Sequence, residues 1–151
     1  MKKFLLSLSL IGSIAVASAQ NLNPVSWSYT AKKINDKQYE LQLVATIQSG
    51  WHLYSQKQPA DAIAIPTSFS FNKNPLVKLE GPVKENGKLE KFTDKTLGVS
   101  ANQYSNKVVF VQKVQLAGKA KTAVTGKLEY QTCDDEKCLP PRTVNFSVAL
   151  N

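Results

Sequence analysis

The apolar residues of this chain recur with a period of two rather than 3.6, and that regularity commits the chain to strands. In Tyr39-Glu40-Leu41-Gln42-Leu43-Val44-Ala45-Thr46-Ile47 the odd positions are apolar and the even ones mostly polar. That alternation puts one face of a strand in a core and the other toward water. Residues 27–31, 51–55, 68–71, 77–79, 108–116, 123–130 and 143–150 read the same way. Turn chemistry separates them at Asn35-Asp36, Ser49-Gly50, residues 72–75, Gly81-Pro82, Asn86-Gly87, Ser105-Asn106 and Gly118. No stretch carries a helical stripe with caps.

Short strands at this spacing predict an all-β fold, an immunoglobulin-like antiparallel β-sandwich in preference to a closed barrel. Trp27, Trp51, Tyr39, Phe69, Phe71, Phe110 and Phe146 alternate within the strands and are expected to pack the sandwich. Residues 73–99 are polar and weakly patterned, which marks them as the place for a functional loop.

The N-terminus reads as an export signal. Lys2 and Lys3 form a positive start, residues 4–16 are apolar or small, and Ala17-Ser18-Ala19 fits the small-x-small cleavage pattern before Gln20. The expected organisation is a signal peptide over residues 1–19 and one domain over residues 20–151, exported to the periplasm. No window approaches eighteen uninterrupted apolar residues, so no direct membrane insertion is expected.

The formal charge is +8, and it falls to +6 (17 Lys+Arg against 11 Asp+Glu) when Lys2 and Lys3 are removed. The remaining lysines are scattered, whereas a nucleic-acid surface needs a basic stripe with interleaved aromatics. Nucleic acid is therefore not an expected partner.

The chemistry concentrates in Tyr130-Gln131-Thr132-Cys133-Asp134-Asp135-Glu136-Lys137-Cys138-Leu139-Pro140-Pro141, which holds the only two cysteines of the chain. In an exported protein an even pair is most simply a disulfide, and a plain staple is the simplest role for it. As a staple it is weak. Closing a loop of about six residues restricts the unfolded chain by about 2 kcal/mol, against about 4.7 for a loop of about 100. If residues 123–130 and 143–150 are neighbouring strands, the pair sits at a hairpin mouth, where strain or exposure makes a bridge easier to reduce. Three acidic residues follow Cys133 whereas Lys137 adjoins Cys138, so a reduced Cys138 is expected to ionise more readily. Pro140 and Pro141 remove two backbone donors, as at an edge.

This segment resembles the periplasmic N-terminal domain of DsbD-type thiol:disulfide interchange proteins. Tyr130-Gln131-Thr132-Cys133 and Cys138-Leu139-Pro140-Pro141 match that family's cysteine signature. Ser49-Gly50-Trp51-His52-Leu53-Tyr54 is similar to its strand ahead of the site, and Glu90-Lys91-Phe92-Thr93-Asp94 to its cap segment, without the tyrosine and glycine that usually follow the phenylalanine. The resemblance implies exchange through mixed disulfides with thioredoxin-fold periplasmic proteins. Cys138 would bond the partner and Cys133 resolve, under a Phe92 cap supported by Trp51, Tyr54 and Pro140. It implies no prosthetic group. Because the sequence stops at Asn151, before the family's membrane and thioredoxin-like domains, a membrane electron donor on a separate chain is expected.

Two other readings stand beside this one. A non-catalytic exported sandwich that binds another protein would keep the bridge as a staple. A metal carrier would combine the reduced cysteines with His52, the single histidine, and needs a further carboxylate. His52 is otherwise a strand residue, and Asp134 and Asp135 are either tuners of thiol ionisation or solvated loop charge. No phosphate-binding glycine loop, serine nucleophile arrangement or metal-binding helix motif is present.

Overall fold

The alternating segments become strands because each hides one row of side chains. A computed structural model describes residues 22–118 and 121–150; the expected signal over residues 1–19 and a start at Gln20 lie outside the described residues. The strands are β1 (Val25–Lys33), β2 (Gln38–Ile47), β3 (His52–Tyr54), β4 (Ser68–Phe71), β5 (Val77–Gly87), β6 (Glu90–Asp94), β7 (Val99–Tyr104), β8 (Lys107–Leu116), β9 (Thr122–Tyr130), β10 (Thr132–Cys133) and β11 (Arg142–Leu150). They form antiparallel sheets in the orders β1-β2-β8-β5, β11-β9-β4 and β10-β3-β7-β6, with no helix among the described residues. The architecture is the expected immunoglobulin-like antiparallel fold.

The first two sheets are the sandwich. Leu41, Leu43 and Ala45 of β2 are fully buried against Phe110 of β8 and Leu128 of β9 within one continuous core. Aromatic rings tie its layers together: Trp27 lies 5.9 Å from Phe110 and 5.4 Å from Tyr130, and Phe69 lies 5.0 Å from Phe110. Tyr39 and Phe146 are buried in the same core, with Trp51 and Phe71 packed against it. Gly126 of β9 is flanked in register by Phe71 and Phe146. A Cβ there would stand 2.6 Å from Phe146 Cζ, so only glycine admits that ring.

The third sheet is built from continuations of sandwich strands. β2 runs on toward β3, β5 toward β6 and β9 toward β10, whereas β7 leads into β8. These crossings share one end, because Thr46 pairs with Lys107 and Gly87 with Val108. Asn106, with a φ of 63°, redirects the chain between β7 and β8. Asparagine tolerates that left-handed conformation better than other non-glycine residues.

Residues 73–99 are not the loop that their weak pattern predicted. Most of them belong to β5 and β6, whose edge or surface positions bury too little to impose alternation. Gly81-Pro82 is a bulge inside β5 and not its end: the register with β8 shifts between Glu80 and Lys84, and Gly81 has a φ of 68°. The amide of buried Gln112 donates to the carbonyls of Glu80 and Gly81, satisfying groups that the bulge removes from the ladder.

Candidate redox site

The cysteine segment folds as a small hairpin of its own between β9 and β11, which are paired from Tyr130↔Arg142 onward. Cys133 and Cys138 are joined by a disulfide, with Cα atoms 4.0 Å apart and a sequence separation of 5. They also face each other as an isolated antiparallel bridge. The Leu139 amide donates to Thr132 O at 2.9 Å, and the Asp134 amide to Lys137 O at 2.9 Å. Asp134 closes the turn from within: its Oδ1 accepts the amides of Glu136 at 2.9 Å and Lys137 at 2.7 Å. This is the ordinary use of aspartate at the start of a turn. Those two backbone donors hold its carboxyl below the usual carboxylate value.

The two sulfur-bearing residues are unequal. Cys133, in β10, is 3% exposed and packs with Tyr54, Ala101 and Ala64, whereas Cys138 is exposed. Attack from outside can therefore reach Cys138, and the bond to Cys133 leads inward.

Both cysteines line an open cavity of about 500 Å³, together with Tyr54, Phe92, Leu97 and Gln131. Phe92 lies on β6, the edge strand of this sheet, and is 48% exposed. Ile63 and Leu97, at the same cavity, are 81% and 71% exposed. Such apolar exposure around a polar-rimmed opening is characteristic of a surface that meets another protein. Of the residues implied as support, Tyr54 is on the cavity wall, and burial raises its hydroxyl above the usual tyrosine value. Trp51 is not on that wall and packs instead on the sandwich core. Pro140 is exposed just beyond the hairpin.

Residues 55–67 bring Ile63 and Ala64 to the cavity, and the sequence pattern did not mark that segment as part of a site. Glu85 of β5 accepts hydrogen bonds from Ser55 Oγ at 2.7 Å, the Gln56 amide at 2.6 Å and Tyr104 Oη at 2.7 Å. Burial, and then the Glu85 carboxylate, push the Tyr104 phenol above its usual value, so it remains a donor. Ser100 Oγ donates to Asp61 Oδ1 at 2.6 Å. Gln131 joins both halves: its Oε1 accepts the Ile65 amide at 3.0 Å, and its Nε2 donates to Leu139 O at 3.3 Å. The glutamine of the cysteine signature was the one available clue to that bridge.

His52 is opposite Cys133 in the β3–β10 register. Its Nδ1 is 3.2 Å from Ser105 Oγ and its Nε2 is 3.4 Å from Asp135 Oδ1. Among the described residues no three His, Cys, Asp or Glu side chains are grouped to hold a metal ion. No helix among them is long and apolar enough to cross a membrane.

The family described as "Thiol:disulfide interchange protein DsbD, N-terminal" matches residues 19–150. The fold is similar to the reduced N-terminal domain of DsbD from Neisseria meningitidis, with TM-score 0.54 and 16% identity over 85% of this chain and 86% of that one. It is also similar to the N-terminal periplasmic domain of ScsB from Proteus mirabilis, with TM-score 0.51 and 14% identity over 83% of this chain and 44% of that one. No curated relative matches the chain.

Proposed function

The chain belongs to the family of DsbD N-terminal domains, and from that premise we propose that it is a periplasmic module relaying electrons between thioredoxin-fold proteins through Cys133 and Cys138. The observation that carries this reading is the exposure of Cys138 beside a buried Cys133 in one apolar cavity. A thiolate of a reduced thioredoxin-fold partner attacks Cys138 Sγ. The Cys133–Cys138 bond breaks, its electron pair stays on Cys133 Sγ, and that sulfur takes up a proton. The partner's second thiol then attacks its own sulfur in the mixed disulfide and releases Cys138 as a thiol. Two electrons have moved, the partner is oxidised and the pair is reduced. Delivery reverses the order: the Cys138 thiolate attacks an acceptor disulfide, and Cys133 resolves the complex. Phe92 serves as a cap over the pair, and export through the N-terminal signal places the domain where such partners act.

Trapping tests this. Cys133→Ser removes the resolving thiol and is expected to accumulate a thiol-sensitive covalent complex with a thioredoxin-fold protein, whereas Cys138→Ser accumulates far less. Equal trapping by both variants would reverse or remove the role assignment. No trapping by either, in a periplasm containing candidate donors, would favour a binding module with a structural bridge.

A further inference from the structure

The cavity that holds both cysteines carries the opposite sign from the chain around it. The chain has 19 Lys+Arg against 11 Asp+Glu, a formal charge of +8. The cavity is lined by Asp94, Asp134, Asp135 and Glu136 but by a single base, Lys137. Four of the 11 acidic residues thus meet one of the 19 basic ones, a local charge of −3 (1 − 4). Alternation along β6 turns Phe92 and Asp94 to the cavity and Lys91 to the opposite face. The cysteine hairpin supplies the rest, with Asp135 and Glu136 exposed on its turn. Asp94 and Asp134 each cap a turn, the first accepting the amides of Thr96 and Leu97, the second those of Glu136 and Lys137. Capping does not account for the charge: asparagine or serine closes a turn too, and Asp134 closes this one without the side chains of Asp135 and Glu136.

Negative charge here works against the exchange chemistry. The attacking thiolate is an anion, and the bond it breaks leaves an anion on Cys133 Sγ. Carboxylates around Cys138 repel both unless the incoming sulfur brings positive charge with it. We propose that the acidic rim selects the exchange partner, a thioredoxin-fold protein whose reactive sulfur sits on an apolar face bordered by lysine or arginine. This deepens the exchange reading of the disulfide and rests on it. Exposed Phe92, Ile63 and Leu97 supply the apolar centre of the contact, and the four carboxylates supply its charge. Complementary charge steers the encounter, and like charge rejects the wrong partner. The same rim turns away anionic small thiols and acidic-faced proteins.

Small thiols of different charge test the rim without a protein partner. The oxidised full chain is treated with cysteamine, 2-mercaptoethanol or 3-mercaptopropionate, which are cationic, neutral and anionic beside the sulfur. Each thiolate attacks Cys138 Sγ, and Cys133 Sγ leaves with the electron pair and takes up a proton. A second reagent thiolate attacks the reagent's sulfur in the mixed disulfide, forms the reagent disulfide and frees Cys138. Rate constants for opening the bridge are taken per thiolate and divided by those of the same thiol with hydroxyethyl disulfide, a neutral reference that removes intrinsic nucleophilicity. At an ionic strength of about 0.1 M, where a charge is felt over about 10 Å, the cationic thiol is expected to be about fivefold faster than the anionic one, with the neutral thiol between them. The difference should vanish near about 1 M, where that reach falls to about 3 Å. Asp135→Asn/Glu136→Gln should cut the ratio to about twofold or less, because only part of the rim remains. Asp36→Asn/Glu40→Gln removes as much charge at the end of β2 away from β3 and should keep the ratio. The net charge of the chain predicts the reverse order, so an anionic thiol as fast as the cationic one, or faster, overturns the inference. A ratio that persists near about 1 M, or that falls equally in both double variants, overturns it as well. Equal rates for all three thiols remove the rim and leave exchange standing; a bridge that none of them opens defeats the exchange reading and this inference with it.

Discussion

Gln131 and Ile65, distant in sequence, are joined by a 3.0 Å hydrogen bond from the Ile65 amide to Gln131 Oε1. The same side chain donates to Leu139 O. One amide group thus ties the 55–67 segment to the cysteine hairpin, both of which contribute residues to the cavity lining. Gln131→Ala is expected to raise hydrogen exchange at the Ile65 amide about fivefold, matching the loss of about 1 kcal/mol from a hydrogen bond. Sandwich amides should be unaffected. Unchanged exchange at Ile65 would show that other contacts hold the segment.

Replacing both cysteines by alanine is expected to leave a folded sandwich weakened by about 2 kcal/mol, because the closed loop is short. The core containing Leu41, Phe110 and Leu128 is formed by strands outside that loop. Denaturant titration against the parent measures the difference. Loss of cooperative unfolding would make the bridge a structural staple.

Phe92→Ala is expected to speed alkylation of the reduced pair severalfold. Phe92 lines the cavity that holds both cysteines yet is half-exposed, so its ring limits access while contributing little to the core. Equal alkylation rates in variant and parent would remove Phe92 from the site.

Acid should loosen the cysteine hairpin through Asp134. Its folded-state carboxyl is lowered from 3.8 by the amides of Glu136 and Lys137. The stabilisation is therefore present above that unfolded value and is lost as pH falls through the lower folded value. The Glu136 and Lys137 amide resonances are expected to titrate together with a midpoint below 3.8, and Asp134→Ala should abolish the transition. A midpoint at or above the unfolded value would contradict the turn-capping role.

Alternation alone determined most of the sandwich strands of this protein. β2, β4, β8, β9 and β11 match the periodic segments closely, because a strand with one buried face must alternate. The cysteine signature was equally legible, since a short motif carries its own spacing. Only tertiary structure decided the third sheet. β6 lies at one edge and buries too little to impose a pattern, β10 at the other edge is buried but only two residues long, and β5 of the sandwich continues through Gly81-Pro82 because Gln112 satisfies the carbonyls that the bulge frees. The unequal exposure of Cys133 and Cys138, the bridge from Gln131 to Ile65 and the placing of His52 across from Cys133 likewise depend on partners far away in the chain. Periodicity reports which face of a strand is buried, but not which strands meet, and the site lies where they meet.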